Sequence, residues 1–415
     1  MEQLINDMKK LVDYTIKENL PDEAVIRALA THAFTKKVYV VAIGKAAWNM
    51  ANAAYGYLGD RIEKGIVITK YDHSMGAIPN MEIVEAGHPL SDENTILGTK
   101  KVIELAERLT EDDQLIFLVS GGGSALFEAP LAGITLEGIV DINSQLLAAG
   151  ADIVEMNVIR KRLSQVKAGR FAKLVAPAKI FAIVLSDVLG DRLDSIASGP
   201  VAADQFTVAD AHKIVEKYQL KLTPKMAEYL AIETPKEVDN VEAFVTGSVS
   251  TLCNAAAEIS KKMGYEPMIL SSNLDCEARE AGRFFASIAV SIAQGNSTIK
   301  TPCAVIIGGE TVVNLKGKGK GGRNQEFALA AAEAIAGIDS VLILSIGSDG
   351  TDGPTDAAGG FVDGNTMEDL KSKGMSHHDM LENNDAYHAL QAIDRLITTG
   401  PTGTNVNDVA ILLYR

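Results

Sequence analysis

The sequence predicts an α/β protein of two domains, each built around a sheet whose strands are mainly parallel. Three observations lead to this prediction. Short β-branched runs alternate with longer stretches of helical periodicity, and nearly every such run is followed by a loop rich in Gly or Asp. The chain has 415 residues, more than one hydrophobic core usually serves. Apolar residues make up 47% of the chain against only 12 prolines, which indicates a packed globular protein.

The predicted strands form two series along the chain. The first series comprises 38–43, 65–69, 82–86, 114–120 and 179–186. A helical stretch around 208–232 separates it from the second, which comprises 242–247, 266–271, 303–309, 341–348 and 408–414. We therefore predict a Rossmann-like α/β/α domain with a parallel sheet over residues 1–230 and a smaller mixed α/β domain over residues 231–415. The prediction allows the last ~30 residues of the second domain to pack back on the first domain.

Composition and charge exclude several classes of protein. The formal net charge of −15 argues against nucleic acid or an anionic membrane as a partner of the whole surface. No run approaches the ~18 apolar residues of a membrane span. The amphipathic N-terminal pattern contains acidic residues, which is not typical of a secretory or transit peptide. The three cysteines form no CxxC pair, so we expect small buried hydrophobes in a reducing compartment and a cytoplasmic protein.

A run of three glycines follows the fourth predicted strand, in the stretch LVSGGGSALFEAP at 118–130. It is compatible with a tight turn, with a backbone cradle for a phosphate, or with an elbow that presents Ser124 as a nucleophile. The hydrolase elbow is G-x-S-x-G, and the closing glycine is absent here because Leu126 occupies that position. We therefore favour an anion cradle made by Gly121, Gly122 and Gly123 with the Ser124 hydroxyl, and leave open whether a phosphate or a carboxylate occupies it.

A second glycine-rich segment, KGKGKGGRNQE from Lys316, concentrates positive charge in an acidic protein. A predicted helix follows it, with Asn324 near the start. Glycines admit an anion to backbone N–H groups and a helix N-terminus adds donors, so the pattern predicts an anion site that uses Lys318, Lys320, Arg323 and Asn324. The alternative is a flexible solvated loop.

The same segment matches two nucleotide motifs only poorly. The literal GxGxxG at 317–322 follows TVVNL, which is predicted to be a short hairpin-paired strand rather than the first strand of a dinucleotide fold. Arg323 and Asn324 stand where a Walker A loop has Lys and Ser or Thr. The segment therefore predicts neither a dinucleotide fingerprint nor a standard P-loop.

Lys45 lies at the junction between the first predicted strand and the helix after it. A lysine in the first turn opposes the helix dipole unless it meets an anion. Surface lysines are common, but this one lies at the carboxyl edge of a predicted parallel sheet, where ligands bind in such proteins. We therefore interpret Lys45 as a ligand contact.

Two acidic loops are candidates for a metal ion or a general base. The segment SIGSDGTDGPTDAAGG provides Asp349 and Asp352 at a spacing that fails the EF-hand template. Mg²⁺ is more plausible, because it accepts one or two carboxylates together with substrate phosphates. Asp187 and Asp191 follow another predicted strand and are second candidates. The alternative is that these residues serve only the turns that Asp and Gly favour.

The basic segment MNVIRKRLSQVKAGRFA could present Arg160, Lys167 and Arg170 on one helix face, which in most proteins is a solvated face. We keep Arg160 as a candidate substrate or phosphate contact.

Seven blocks, in order, resemble the class II glycerate 2-kinases: SGGGSAL, NVIRKRLSQVKAGR, LSDVLGDRLDSIASGP, GGETVV, GGRNQE, GTDGPTDAAGG and TGPTGTNVND. The resemblance extends from about Ala42 to Asp408. It implies ATP-dependent phosphorylation of D-glycerate at its 2-hydroxyl, giving 2-phosphoglycerate and ADP, with Mg²⁺ or another divalent cation. It also implies an active site in a cleft between two α/β domains, with Lys45 and Arg323 as active-site residues.

Under this hypothesis Lys45 and Arg323 face the transferring phosphoryl group and the glycerate carboxylate, in either order. One of Asp187, Asp349 or Asp352 holds the metal or accepts the hydroxyl proton. Two alternatives remain: an oxidoreductase of the hydroxypyruvate reductase type, and a non-catalytic protein that binds a nucleotide or another anion. A homodimer is the oligomeric state to consider.

Overall fold

A computed structural model describes residues 1–34, 36–186, 188 and 190–415. Over these residues, the strands are β1 Val38–Ile43, β2 Ile62–Lys70, β3 Met81–Ala86, β4 Gln114–Val119, β5 Lys179–Leu185, β6 Val241–Gly247, β7 Glu266–Leu274, β8 Cys303–Gly309, β9 Val341–Gly347, β10 Gly359–Asp363, β11 Leu396–Ile397 and β12 Asp408–Tyr414.

The α-helices of the same residues are α1 Glu2–Lys17, α2 Pro21–Ala30, α3 Ala47–Leu58, α4 Glu93–Ala106, α5 Gly123–Leu126, α6 Leu136–Ala148, α7 Ile153–Arg162, α8 Arg170–Val175, α9 Val208–Tyr218, α10 Pro224–Leu230, α11 Val249–Lys262, α12 Ala278–Ala293, α13 Arg323–Ala331, α14 Thr366–Ser372, α15 His377–Glu382 and α16 Ala386–Ala392. Short 3-10 helices lie at Gly59–Arg61 and Ile196–Ser198.

Contacts within the chain group it into two compact units, Pro21–Thr246 and Met1–Leu20 together with Gly247–Arg415. This grouping differs from the predicted division at residue 230, because α1 packs with the C-terminal part and β6 belongs to the first sheet. The sequence analysis had allowed the last residues to pack on the first domain, but the last strand does not do so. β12 instead lies between β8 and β9 in the second sheet.

The first unit contains a six-stranded sheet in the order β3-β2-β1-β4-β5-β6. β1 pairs in parallel with β2 and with β4, and the β2–β3 and β4–β5 pairs are also parallel. The predicted Rossmann-like parallel sheet is therefore confirmed. Strand order reverses between β1 and β4, and in sheets of this kind the crevice outside the carboxyl ends at the reversal is the usual ligand site.

The central strands of this sheet are buried on both faces. In β1, Val41 and Ile43 join one hydrophobic cluster, while Val40 and Ala42 join another on the opposite face. Successive strand residues point to opposite faces, so β-branched and aliphatic residues at every position give a sheet covered by helices on both sides. A separate cluster joins α6, α7, α9 and α10 of the same unit, and it fixes the position of α7.

The second unit contains a mixed sheet in the order β11-β10-β9-β12-β8-β7. β7 pairs with β8 in parallel, and the other pairings are antiparallel. This confirms the predicted mixed α/β character, although the sequence had not predicted β10 or β11. The predicted hairpin strand at TVVNL was wrong, since Val312 forms only an isolated parallel bridge with Glu277.

The N-terminal helix α1 packs against α11 in this unit, with Leu4, Met8 and Leu11 buried. Asp7, also on the buried face of α1, accepts a hydrogen bond from the Tyr265 hydroxyl at 2.7 Å. Among all the helices that the structure describes, none has the length and apolar character needed to cross a membrane.

Candidate active site

The loops that follow β1 and β4 are joined by hydrogen bonds at the point where strand order reverses. The backbone N–H of Lys45 donates to the Gly121 carbonyl at 2.8 Å, and the N–H of Ala46 donates to Ser120 Oγ at 3.0 Å. Gly122 has φ 85°, a conformation that favours glycine. The glycine loop and the turn that precedes α3 are therefore hydrogen-bonded to each other at the predicted ligand edge.

The side chains of Lys45 and His88 converge over Gly122. A Cβ atom on Gly122 would lie 2.9 Å from His88 Cδ2 and 3.3 Å from Lys45 Cγ, so only glycine lets both side chains approach the loop. His88 follows β3, and the sequence gave no reason to place it here. The glycine run thus makes room for neighbouring side chains as well as for a ligand.

Positive groups dominate the surroundings of Lys45. Within the described part of the chain, Lys45 Nζ forms no ion pair with a carboxylate. Burial lowers the pKa of His88, and the nearby charges of Lys45, Lys70 and His73 lower it further. A cluster of this kind, in which no described carboxylate pairs with Lys45, favours an anion, which supports the predicted role of Lys45.

The expectation of a solvated face for the basic segment 160–170 was wrong. Lys161, Arg162 and Lys167 are each at most 1% exposed. A buried cation is tolerated only when it is paired or fully hydrogen-bonded, and these are. Their partners, with those of Arg170, are Asp204 and Asp194 for Lys161, Glu233 and the carbonyls of Ile232 and Phe206 for Arg162, Glu128 for Lys167, and the carbonyls of Lys161 and Ser164 for Arg170.

Lys167 connects this segment to the glycine loop. Its Nζ lies 2.9 Å from Glu128 Oε2 and donates to the carbonyls of Ser124 at 2.8 Å and Phe127 at 2.9 Å. Burial lowers the pKa of Lys167, and the Glu128 carboxylate opposes that effect. The pair therefore fixes the backbone on which Ser124 is carried.

Arg160 differs from its basic neighbours. No hydrogen bond or ion pair joins its guanidinium to any described residue, and its Nε is buried without a partner. Burial lowers the pKa of Arg160, and Glu128 acts in the opposite sense. A desolvated guanidinium that has no partner in the described part of the chain suits an anionic ligand, the role we predicted for Arg160.

In the second unit, Arg323 begins α13 and is held by two carboxylates. Its Nη2 donates to Asp408 Oδ1 at 3.0 Å, its Nε donates to Asp408 Oδ2, and its Nη1 lies 3.2 Å from Glu310. Burial disfavours the charged form, but the bond with Asp408 outweighs it and raises the pKa of Arg323. Arg323 is thus a fixed, permanently charged group, while burial raises the pKa of Asp408.

The N-terminus of α13 is occupied by a protein carboxylate. Asp352 accepts the backbone N–H groups of Asn324 at 3.1 Å and Gln325 at 2.8 Å, and it is 3% exposed. Burial raises the pKa of Asp352 to about 6. Asn324 is itself buried and accepts a hydrogen bond from Ser345 at 2.6 Å. The sequence had assigned the helix end to a ligand anion and Asp352 to a metal, but here Asp352 takes the place of that anion.

The backbone donors of the Lys-Gly segment are likewise bonded to other residues of the chain. Backbone N–H groups of Lys316, Gly317, Lys318, Gly319 and Lys320 donate to oxygens of Asn383, Asn384 and Asp385. A Cβ on Gly317 would lie 2.2 Å from the Asn383 carbonyl oxygen, so this glycine permits close packing. The two lysine side chains differ: Lys318 is exposed, whereas Lys320 is partly buried and its Nζ lies 4.1 Å from the Tyr387 ring centroid.

The predicted metal ligands differ in their surroundings. Asp349 is partly exposed, and its Oδ1 accepts the Thr351 N–H at 3.0 Å. A Cβ on Gly347 would lie 3.4 Å from both Asp349 Oδ1 and Asp408 Oδ1, so these carboxylates flank that glycine. No set of three His, Cys, Asp or Glu residues in the described chain could hold a metal ion by itself. Asp187 lies outside the described residues.

Two family models match the chain. One is described as a domain of unknown function, DUF4147, and matches residues 7–231; the other, the MOFRL family, matches residues 303–408. The chain is 52% identical to a D-glycerate 2-kinase of Thermotoga maritima, over 97% of this chain and 98% of the relative. It is 42% identical to a glycerate 2-kinase of Pyrococcus horikoshii, over 91% of this chain and 87% of the relative.

A crystal structure of a glycerate kinase from Thermotoga maritima, 52% identical, superposes with a TM-score of 0.97 over the whole of both chains. A relative from Agrobacterium vitis carries the provisional name of a hydroxypyruvate reductase, at 39% identity over 90% of this chain and 98% of that protein. The higher identities and the solved structure agree with the motif resemblance, and the chain belongs to the glycerate kinase type II family.

Proposed function

We propose that this protein transfers a phosphoryl group from ATP to the 2-hydroxyl of D-glycerate, producing 2-phosphoglycerate and ADP. The observation that carries the proposal is a pair of cations, Lys45 and Arg160, for which the described residues provide no ion-pair partner, in the unit that holds the glycine loop. Both substrates are anions, and uncompensated cations at the carboxyl edge of a parallel sheet suit them. The kinase names of the relatives with the highest identities quoted above support the same reaction.

Phosphoryl transfer asks a protein for positioning and charge stabilisation more than for covalent chemistry. Lys45 is suited to this role because its backbone is tied to Gly121, which fixes where its side chain begins. Arg323 is suited because Asp408 grips two of its nitrogens while 34% of the side chain stays exposed. A guanidinium fixed in this way pays little further entropy when it meets an anion.

Divalent metal is part of the proposal, and the carboxylates differ in how well they fit it. Asp349 fits, since it is partly exposed and has an oxygen beyond the one that Thr351 uses. Asp352 does not fit, because both of its oxygens accept backbone N–H groups. Bound Mg²⁺ would supply charge neutralisation to the ATP phosphates with one or two protein carboxylates. We further propose Lys318 and Lys320 as contacts for those phosphates, because Lys318 is exposed and Lys320, whose Nζ lies over the Tyr387 ring, is partly exposed.

The oxidoreductase alternative rests on the name of the Agrobacterium relative and requires a nicotinamide site. The only GxGxxG, at 317–322, lies against Asn383–Asp385 and does not directly follow a strand, since β8 ends at Gly309, whereas the dinucleotide fingerprint forms the turn immediately after a strand. A non-catalytic binding protein is the other alternative. It would bind ATP without ever releasing ADP.

One set of assays separates the three functions. In the first assay, purified protein is incubated with ATP, MgCl₂ and D-glycerate while ADP is measured. In the second, it is incubated with hydroxypyruvate and NADH while the NADH absorbance at roughly 340 nm is followed. We expect ADP release that depends on glycerate and no NADH oxidation. NADH oxidation without ADP release would establish the reductase, and ATP binding in calorimetry with neither reaction would establish the binding protein.

A further inference from the structure

A chain of three polar side chains runs inward from the glycine loop. Ser124 Oγ lies 3.0 Å from Ser198 Oγ, and Ser198 Oγ donates to Asn157 Oδ1 at 3.1 Å. Ser198 is fully buried and Asn157 nearly so, whereas Ser124 is partly exposed. The chain therefore begins in the protein interior and ends at the surface of the predicted ligand loop.

The inner end of this chain decides the direction of its hydrogen bonds. An amide oxygen only accepts, so Ser198 gives its single proton to Asn157. The oxygen of Ser198 must then accept the proton of Ser124 in the bond between the two hydroxyls. Ser124 consequently has no proton left for a ligand, and it presents only lone pairs to the partly exposed side.

The backbone that carries Ser198 supports a positioning role. Ala197 and Ser198 have φ of 51° and 62°, a left-handed conformation that is unfavourable for residues other than glycine. Such strain persists only where the surroundings enforce it, and it concentrates at functional sites. Here Ala197 packs against Gly123, where a Cβ atom would lie 2.8 Å from Ala197 Cβ. The strained turn and the glycine loop therefore fit together and hold the two hydroxyls in register.

Arg160 lies on the same side of α7 as Asn157, the inner end of the series of hydrogen-bonded side chains. It follows Asn157 by three residues, a spacing that places two side chains on one helix face. The Glu128 carboxylate acts on the pKa of both Arg160 and Lys167, and Lys167 binds the Ser124 carbonyl. The Arg160 guanidinium, which no described residue pairs, thus lies in the same neighbourhood as a hydroxyl oriented as an acceptor.

We infer that the glycine loop is the hydroxy-acid subsite, where Ser124 Oγ accepts a hydrogen bond from a hydroxyl of the substrate and Arg160 binds its carboxylate, with Ser198 and Asn157 as positioning residues. A fully ionised phosphate has no proton to offer Ser124, whereas a hydroxy acid has one beside its carboxylate. This inference rests on the proposed function and assigns the loop to glycerate rather than to the ATP phosphates.

The test measures binding as well as turnover. Calorimetry with D-glycerate alone and with Mg-ATP alone is applied to wild type, Ser124→Ala, Ser198→Ala and Arg160→Met, with Lys173→Met as a control at an exposed lysine beyond the segment. We expect Ser124→Ala and Ser198→Ala to weaken glycerate about three- to tenfold, the range for one hydrogen bond, and Arg160→Met to weaken it more than tenfold. ATP affinity should stay within about twofold in every variant.

Analogues that lack one hydroxyl give a second readout that a merely structural defect would not produce. Lactate and 3-hydroxypropionate each lack one hydroxyl of glycerate, and the analogue without the contacted hydroxyl should bind wild type and Ser124→Ala equally. Ser124→Ala also covers the case in which Ser198→Ala fails to fold, since Ser124 is partly exposed.

A loss of ATP affinity with unchanged glycerate affinity would overturn the inference by assigning the loop to the nucleotide. Unchanged affinity for both substrates in Ser124→Ala would overturn it as well. If wild type binds glycerate in the expected pattern but transfers no phosphoryl group to it, the subsite stands and the proposed reaction fails.

Discussion

The backbone N–H of Lys45 donates to the carbonyl of Gly121 at 2.8 Å, across the point where strand order in the first sheet reverses. This bond joins the first turn after β1 to the glycine loop after β4. The side chain of Lys45 then lies against Gly122 beside His88, with other positive groups nearby and no carboxylate partner among the residues described. Among the described residues nothing neutralises this lysine, and such surroundings suit an anionic ligand.

Removing this charge should abolish most of the activity and leave the fold intact. We expect Lys45→Met to lower kcat/KM for glycerate phosphorylation by ~10³-fold or more, as other charged groups at transferring phosphates do. Lys37→Met is the matched control, because Lys37 precedes the opposite end of β1 and is exposed. Steady-state kinetics of both variants, with circular dichroism to confirm folding, would check this. Equal activity in the two variants would remove Lys45 from the site.

The buried pair of Lys167 and Glu128 should matter for stability. Removing one partner of such a pair typically costs about 3–5 kcal/mol, because it leaves an uncompensated buried charge, whereas neutral replacement of both can cost far less. We therefore expect Lys167→Met to lower the free energy of unfolding by about that amount, and Lys167→Met/Glu128→Gln to recover a large part of it. Urea unfolding followed by circular dichroism measures both. A double variant no more stable than the single one would show that the pair does not act as a unit.

Arg323 should combine a kinetic role with a structural one. Arg323→Ala is expected to lower kcat by ~10³-fold or more, by analogy with arginines at transferring phosphoryl groups. It also leaves the buried Asp408 unpaired, so a second variant, Arg323→Ala/Asp408→Asn, is needed to separate the two effects. We expect the double variant to regain thermal stability without regaining kcat. A loss in kcat below about tenfold would place Arg323 outside the transition state.

The helix cap formed by Asp352 should make stability depend on pH. Burial raises its pKa to about 6, above the ordinary value of 3.8, so between these values the folded chain binds more protons at this group than the unfolded chain does. The contribution of Asp352 to the free energy of unfolding is therefore largest below pH ~4 and is lost as pH rises through ~6. Urea unfolding at several pH values, for wild type and Asp352→Asn, would measure it. We expect the difference in stability between wild type and variant to shift against wild type as pH rises; a difference constant over this range would contradict the raised pKa.

Much of the fold could be predicted from local patterns. Runs such as VYVVAI at 38–43 and DVAILLY at 408–414 coincide with β1 and β12, because continuous apolar runs of this length suit strands buried on both faces. β10 was missed since it begins with two glycines, Gly359 and Gly360, which disfavour a strand until tertiary pairing compensates.

The candidate site was only partly predictable, for a physical reason. Lys45 could be proposed as a ligand contact because its position at a strand end is a local feature of the sequence. The contacts of the Lys-Gly segment could not be predicted. Its backbone N–H groups donate to oxygens of Asn383–Asp385, which lie far along the chain. Likewise, nothing local distinguishes Arg160 from the buried, paired Lys167. Whether a cation is paired depends on residues such as Glu128. The fold brings these residues close, and the local sequence pattern does not show that they will be neighbours.

The most direct test of the account is phosphorus NMR of the product formed from ATP and D-glycerate. The account predicts a single phosphomonoester identical to 2-phosphoglycerate, formed together with ADP and absent in Lys45→Met. A signal identical to 3-phosphoglycerate would contradict transfer to the 2-hydroxyl, and the absence of any new phosphomonoester would contradict the kinase itself.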